Sequence, residues 1–155
     1  NRFIHGYSID GFSYFSKSLK FNGSLSYVKG DENETYGPMP SISPIFGTIS
    51  GEYTKDKIKI SALYKFSGDK SPKDYSLGGE DGLEETPVIT ENSNGIIYAG
   101  TPKWSDFSIY TNYDISEDVK IRIALTNIFD NHYRTFASGI SAPGRSFQIG
   151  LYLKL

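Results

Sequence analysis

The sequence predicts an all-β chain of about seven long antiparallel up-and-down strands, the kind that form part of a transmembrane barrel wall. Three observations predict it. Period-two alternation of apolar and polar residues recurs along the chain, while helical periodicity is poor throughout. Each alternating segment is about ten residues, the length of a tilted strand that crosses a bilayer. The connections alternate between tight polar turns and long loops, the asymmetry of barrels with short periplasmic turns and long outer loops.

The expected strands are residues 3–15, 19–30, 45–54, 57–66, 104–116, 119–129 and 145–155. In the first, apolar residues occur at both parities, so neither face can be assigned. The second alternates Leu19, Phe21, Gly23, Leu25 and Tyr27 with Lys20, Asn22, Ser24 and Ser26. In the third, Gly47 and Gly51 thin out the apolar face. The fourth sets Ile58, Ile60, Ala62, Tyr64 and Phe66 against Lys59, Ser61, Leu63 and Lys65. The fifth runs Phe107, Ile109, Thr111, Tyr113 and Ile115, and the sixth Val119, Ile121, Ile123 and Leu125. The last is the clearest, with Phe147, Ile149, Leu151, Leu153 and Leu155 at every second position.

Tight turns are expected at residues 16–18, 55–56 and 116–118, and long loops at 31–44, 67–103 and 130–144. One orientation satisfies all six connections, with every turn on the inner side and every loop outside. In a soluble sandwich both ends would be mixed.

Composition agrees with strands wet on one face. Of 155 residues, 37% are hydrophobic, while 12 Tyr, 10 Phe and 16 Gly are present. A net charge of −2 with scattered Lys and Arg argues against a nucleic-acid surface, which needs a basic face. With no Cys, disulfides, thiolate zinc sites and cysteine nucleophiles are excluded. No run of 18 apolar residues forms a spanning helix, which leaves a membrane barrel open. Catalytic signatures are missing: there is no G-x-S-x-G elbow, Walker loop, H-E-x-x-H or dinucleotide glycine set. No enzyme activity, cofactor or resident metal is expected.

The first residue is Asn rather than Met, and the chain is read as processed or truncated. Seven strands fall short of the even numbers, from eight upward, of bacterial single-chain barrels. An open sheet would leave two unpaired edges in lipid. A larger parent is therefore expected, with further strands before Asn1, and the segment is not expected to fold alone.

The last third resembles the TonB-dependent outer-membrane receptors. The resemblance rests on Gly100-Thr101-Pro102 with Trp104, on Thr126-Asn127-Ile128-Phe129-Asp130 followed by Tyr133, and on a Gly144-Arg145 pair before the final strand. Upstream, residues 38–44 resemble the family's proline-rich loop and Ile9-Asp10-Gly11-Phe12 one of its strands, while Tyr75-Ser76 with Gly79-Glu80-Asp81 resembles a loop of Bacteroidetes-type members. Ser13 stands where glutamate is usual, and Leu155 where an aromatic is usual. The resemblance implies the C-terminal segment (residues 1–155) of a 22-stranded barrel in the bacterial outer membrane, with the plug domain absent. It implies three partners: outer-membrane lipid, TonB acting through the absent plug, and a large nutrient such as a siderophore or haem iron complex. Residues 137–145 are most similar to the haem/haemoglobin subgroup. Readings from other classes are a plug-less porin or adhesin barrel and a secreted soluble β-sandwich binding module.

His132, Tyr133 and Arg145 are the candidate substrate-binding residues. Imidazole and phenolate both ligate haem iron, although the resemblance also gives Tyr133 a structural place in the motif. Arg145 sits near the outer rim, where it can pair with a loop carboxylate, a lipid headgroup or substrate. Asn127 and Asp130 break the alternation, as short polar side chains do when they shape a turn. Gly144 suits a sharp entry into the last strand. Tyr27, Tyr53, Tyr64, Phe66 and Tyr113 are expected to face outward as an interfacial aromatic girdle, and Tyr110 and Tyr152 to face inward. Residues 67–103 hold Asp69, Asp74, Glu80, Asp81, Glu84, Glu85 and Glu91, read as a solvated loop rather than a calcium site because the EF-hand spacing is not met. Asn33-Glu34-Thr35 fits an N-glycosylation acceptor.

Overall fold

The computed structural model describes residues 3–33, 37–93 and 95–154. Glu34 and Thr35 of the glycosylation acceptor, and the terminal Leu155, lie outside the described residues. In chain order the strands are β1 (Ile4–Tyr14), β2 (Leu19–Gly30), β3 (Glu32–Asn33), β4 (Gly37–Pro38), β5 (Phe46–Lys55), β6 (Ile58–Ser67), β7 (Val88–Asn92), β8 (Gly95–Tyr98), β9 (Trp104–Asp114), β10 (Val119–Thr126) and β11 (Ser146–Leu153). Seven of them form one antiparallel sheet in the order β1-β2-β5-β6-β9-β10-β11. Each long strand pairs with the next long strand in the chain, and β1 and β11 are left as edges.

Two corrections apply to the strand expectations. The strand expected over residues 119–129 ends at Thr126, because Asn127 adopts a left-handed φ of +46° and leaves the ladder. The long loops are not featureless: residues 31–44 contain the β3–β4 ribbon. Residues 67–103 contain the β7–β8 hairpin and single 3-10 turns at Pro72–Asp74 and Leu83–Glu85.

The register sorts the side chains of the sheet into two chemically distinct faces. Leu25 lies opposite Gly47, Gly47 opposite Phe66, and Phe66 opposite Ser105. Nearer the turns, Tyr53 pairs with Ile60, Ile60 with Thr111, Thr111 with Ile123, and Ile123 with Ile149. This face is apolar and bare. Leu25, Tyr27, Ile49, Tyr53, Tyr113, Ile149 and Leu151 are all exposed, Ile149 by 69%. β1 joins it through Tyr7 opposite Tyr27 and Ile9 opposite Leu25, which settles the parity of that strand. Phe12 and Tyr14 fall on the opposite face, where Lys20 lies 4.9 Å and 5.7 Å from their ring centres.

The opposite face is polar and laced with hydrogen bonds. Ser24 and Thr48 hydroxyls meet at 2.7 Å, Asn22 Nδ2 donates to Ser50 Oγ at 3.2 Å, and Thr126 and Ser146 hydroxyls meet at 2.8 Å. Its lysines pair across strands: Lys59 with Glu52, Lys65 with Asp106 and Lys120 with Asp114. Tyr110 and Tyr152 lie on this face. A water-soluble sheet buries its apolar face under a second layer; here, among the described residues, no layer covers it, and the partnered face is the polar one.

Gly47 and Gly51 make room on the apolar face. A Cβ on Gly47 would stand 2.8 Å from Phe66 Cζ, and one on Gly51 would stand 3.2 Å from Phe21 Cε1. Aromatic rings thus cover the strand glycines, as aromatic residues do beside glycines in other sheets. Along the strands, Tyr7, Tyr27 and Phe66 mark the loop end and Tyr53 and Tyr113 the turn end. Ile9, Leu25, Ile49 and Ile123 lie between them. The turns are tight: Asp56, at a φ of +49°, and Lys57 connect β5 to β6.

Candidate functional site

The three long loops lie at the same end of the sheet and meet around one buried cation, Lys70. Its ammonium lies 2.9 Å from Asp81 Oδ2, donates to the Ile42 carbonyl at 2.7 Å, and stands 4.0 Å from the Phe136 ring centre. The side chains of Lys70 and Asp81 are only 5% and 2% exposed. Asp81 Oδ1 accepts the Ser41 N–H at 2.7 Å. Tyr75 packs edge-on to Phe136 and shares a 2.6 Å hydrogen bond with the Thr101 hydroxyl. Burial raises the Tyr75 phenol above its ordinary pKa. Ser41 and Ile42 come from the first loop, Lys70, Tyr75, Asp81 and Thr101 from the second, and Phe136 from the third. Asp81 is therefore not a solvated loop carboxylate: its negative charge is what Lys70 requires once both leave water.

A second anchor joins the last loop to the sheet. Asn127 is 2% exposed. Its Nδ2 donates to the carbonyls of Asn131 (2.9 Å) and Pro143 (3.0 Å), and its Oδ1 accepts the Asn131 N–H at 3.0 Å. Its own N–H donates to Ser108 Oγ at 3.2 Å. Tyr133 stacks on Trp104 with ring centres 4.2 Å apart and donates its hydroxyl to Asp106 Oδ2 at 2.9 Å. Burial, and then that hydrogen bond to a carboxylate, push the Tyr133 pKa up to about 12.

Arg145 is held by Asp130: its N–H donates to Asp130 Oδ1 at 2.7 Å, and its guanidinium lies 3.8 Å from Oδ2. Both side chains are more than half exposed, so the charge pair itself contributes little. The left-handed residues of this loop are Asn127, Asp130 and Ala137, not Gly144. A Cβ on Gly144 would stand 3.0 Å from Asp130 Oδ1, so this glycine serves close approach rather than a turn.

Between the second and third loops lies a cleft of about 280 Å³. Its lining includes Glu85, Lys103, His132, Tyr133 and Arg134. The exposed His132 ring places Nε2 3.1 Å from Ser141 Oγ. Arg134 donates to the Glu85 carbonyl at 2.9 Å and to Ser141 Oγ at 3.2 Å. The structure thus brings His132 and Tyr133 to one cleft, while Arg145 does not line it. Lys103 and Arg134 belong to the cleft and were not singled out from sequence, although Lys103 stands between Pro102 and Trp104 and Arg134 follows Tyr133. The arrangement offers two basic side chains and an imidazole around a space big enough for one chemical group of a large ligand. Tyr133 offers a hydrogen-bonded phenol rather than a phenolate. Among the described residues, no three His, Asp or Glu side chains come together as a cation site.

No family model matches the chain, and no curated protein matches it. Solved structures do. The chain superposes on a structure titled as the copper transporter OprC with a TM-score of 0.72 at 18% identity, over 98% of this chain and 23% of that one. A ferric enterobactin receptor (PfeA) mutant from Pseudomonas aeruginosa gives 0.69 at 19% identity, over 97% of this chain and 22% of that one. Another mutant of that receptor, in complex with enterobactin, gives 0.66 at 19% identity, over 93% and 21%. The chain spans less than a quarter of the length of these structures. The fold is that of a wall segment of an outer-membrane β-barrel.

Proposed function

We propose that residues 1–155 are the C-terminal wall segment of a TonB-dependent outer-membrane receptor that takes up a large nutrient, an iron complex such as a siderophore or haem. The parent barrel has 22 strands in this reading, and the plug and its TonB contact lie elsewhere in the parent. The observation that carries the membrane part is the inverted sheet: a bare apolar face with aromatics at both ends, backed by a hydrogen-bonded polar face. The receptor part is supported by the motifs around Trp104, Asn127 and Tyr133, whose side chains join the last loop to the sheet. The three loops pinned on Lys70 form the outer capture rim, and His132, Lys103 and Arg134 touch the ligand there. Tyr133 positions the loop, and Arg145 stands at its edge.

The test is uptake by cells that depend on the full encoded chain, with ferric enterobactin, haem and a copper salt as separate probes, in the presence and absence of TonB. Accumulation of one iron probe that stops without TonB supports the reading. Uptake of small solutes that is indifferent to TonB would assign the chain to a porin instead.

A further inference from the structure

On the polar face Lys59, Lys65 and Lys120 each have a carboxylate partner. At the turn end, Lys17, Lys55 and Lys57 have none among the described residues, although Asp56, Glu117 and Asp118 share that end. Their placement follows from the ladder. Lys55 closes β5 opposite Ile58, on the apolar face, two residues beyond Tyr53. The Thr54 N–H donates to the Ser18 carbonyl at 2.8 Å, so Lys17 and Lys55 follow on adjacent chain ends. Lys57 donates its ammonium to the Ile115 carbonyl at 3.0 Å, just past Tyr113. Lys17 and Lys55 therefore edge the apolar face just beyond Tyr53, and Lys57 stands at the same turn end, opposite Asp114 and against the Ile115 carbonyl.

Depth supports the same assignment. On the apolar face along β5 the end aromatics are Phe66, opposite Gly47, and Tyr53, which centre the strand near Ser50. At about 3.3 Å per residue and a tilt of about 45°, Lys55 Cα lies about 12 Å from that centre. An apolar band about 25 Å tall ends at the same height, and a lysine stem reaches onward into the headgroup layer. An unpaired ammonium there meets lipid phosphate.

We propose that Lys17, Lys55 and Lys57 form a binding site for the phosphate of an acidic phospholipid in the leaflet at the tight-turn end of the sheet. The inference rests on the reading of this sheet as a membrane wall. Juxtamembrane lysines attract acidic lipid by about fivefold each, on the order of 100-fold for three.

The test is native mass spectrometry of the full encoded chain released in detergent, titrated with phosphatidylglycerol, phosphatidylcholine and inorganic phosphate. The wild type is expected to retain phosphatidylglycerol in preference to phosphatidylcholine. The K17Q/K55Q/K57Q variant should lose most of that preference, and inorganic phosphate should not displace the lipid. Equal retention by the variant overturns the proposal, and so does full displacement by phosphate, which would make the site one for a free anion. If the variant does not fold, the wild type decides: its preference must vanish in high salt, and a preference that persists overturns the assignment. Insertion into bilayers is scored separately by heat-dependent electrophoretic mobility. A chain that fails to insert sinks the membrane reading itself, whereas one that inserts without headgroup preference sinks only the lipid site.

Discussion

Replacing Ile149 by lysine puts a charge in the middle of the apolar face. Ile149 sits near the centre of β11, opposite Ile123, and is 69% exposed. In water such a site tolerates almost any side chain, within about 0.5 kcal/mol. At the midplane of a bilayer the same lysine costs about 2–4 kcal/mol, which shifts the unfolding equilibrium by roughly 30- to 1000-fold. The neighbouring Gln148 supplies the control. It lies on the other face, opposite Ala124, and lysine there should cost no more than about 0.5 kcal/mol. Leu153, on the same face as Ile149 but at the turn end of the strand, should fall between them, at about 0–1 kcal/mol. The assay is reversible guanidinium unfolding of the full encoded chain in lipid vesicles, followed by intrinsic tryptophan fluorescence. A cost below about 1 kcal/mol at Ile149, or an equal cost at Gln148, would refute the assignment of faces, since the expected gap exceeds the usual spread of surface substitutions.

Three further predictions concern the loops. Lys70→Met leaves Asp81 buried and unpaired, which should cost about 3–5 kcal/mol; hydrogen exchange should then rise together in residues 31–44, 67–103 and 130–144, and protection lost in only one loop would contradict a shared anchor. Asn127→Ala removes three side-chain hydrogen bonds and keeps the left-handed backbone, with an expected loss of about 2–4 kcal/mol by chemical denaturation. Asn127→Gly should recover only about 1 kcal/mol of it. The Tyr133 pKa is raised in the folded chain to about 12, so the folded form holds the proton more tightly than the unfolded one. That stabilisation is complete below pH 10 and is lost as pH rises from about 10 to about 12; ultraviolet titration should show Tyr133→Phe removing one late-ionising phenol.

The strands were legible because a sheet with one apolar and one polar face imposes period two on each of them, and Ile149 beside Gln148 or Ile123 beside Arg122 shows it locally. The parity of β1 was not, since Tyr7 and Ile9 lie on one face and Phe12 and Tyr14 on the other. The end of β10 was misplaced because a backbone reversal at Asn127 leaves apolar Ile128 and Phe129 continuing the pattern beyond it. Asn127 and Asp130 as turn-shaping residues, and a loop carboxylate for Arg145, were legible from short polar side chains at a break in alternation. The loop core was hidden. Lys70 and Asp81 are eleven residues apart in a stretch whose many charges resemble a solvated loop, and nothing local marks the one pair that loses its water. His132 and Tyr133 stood out as chemistry, yet the phenol's partner, Asp106, lies 27 residues away, so its engagement emerged only from the fold.

The most direct test of the two-faced wall uses the absence of cysteine from residues 1–155, with any cysteine of the parent outside them replaced by serine. Single cysteines placed in turn from residue 146 to residue 153 are spin-labelled in the full encoded chain and reconstituted into bilayers, and collision with oxygen is compared with collision with a water-soluble nickel complex. Oxygen should dominate at positions 147, 149, 151 and 153, and nickel at 146, 148, 150 and 152. Nickel dominating at every position, or oxygen peaking at the even ones, would contradict the account.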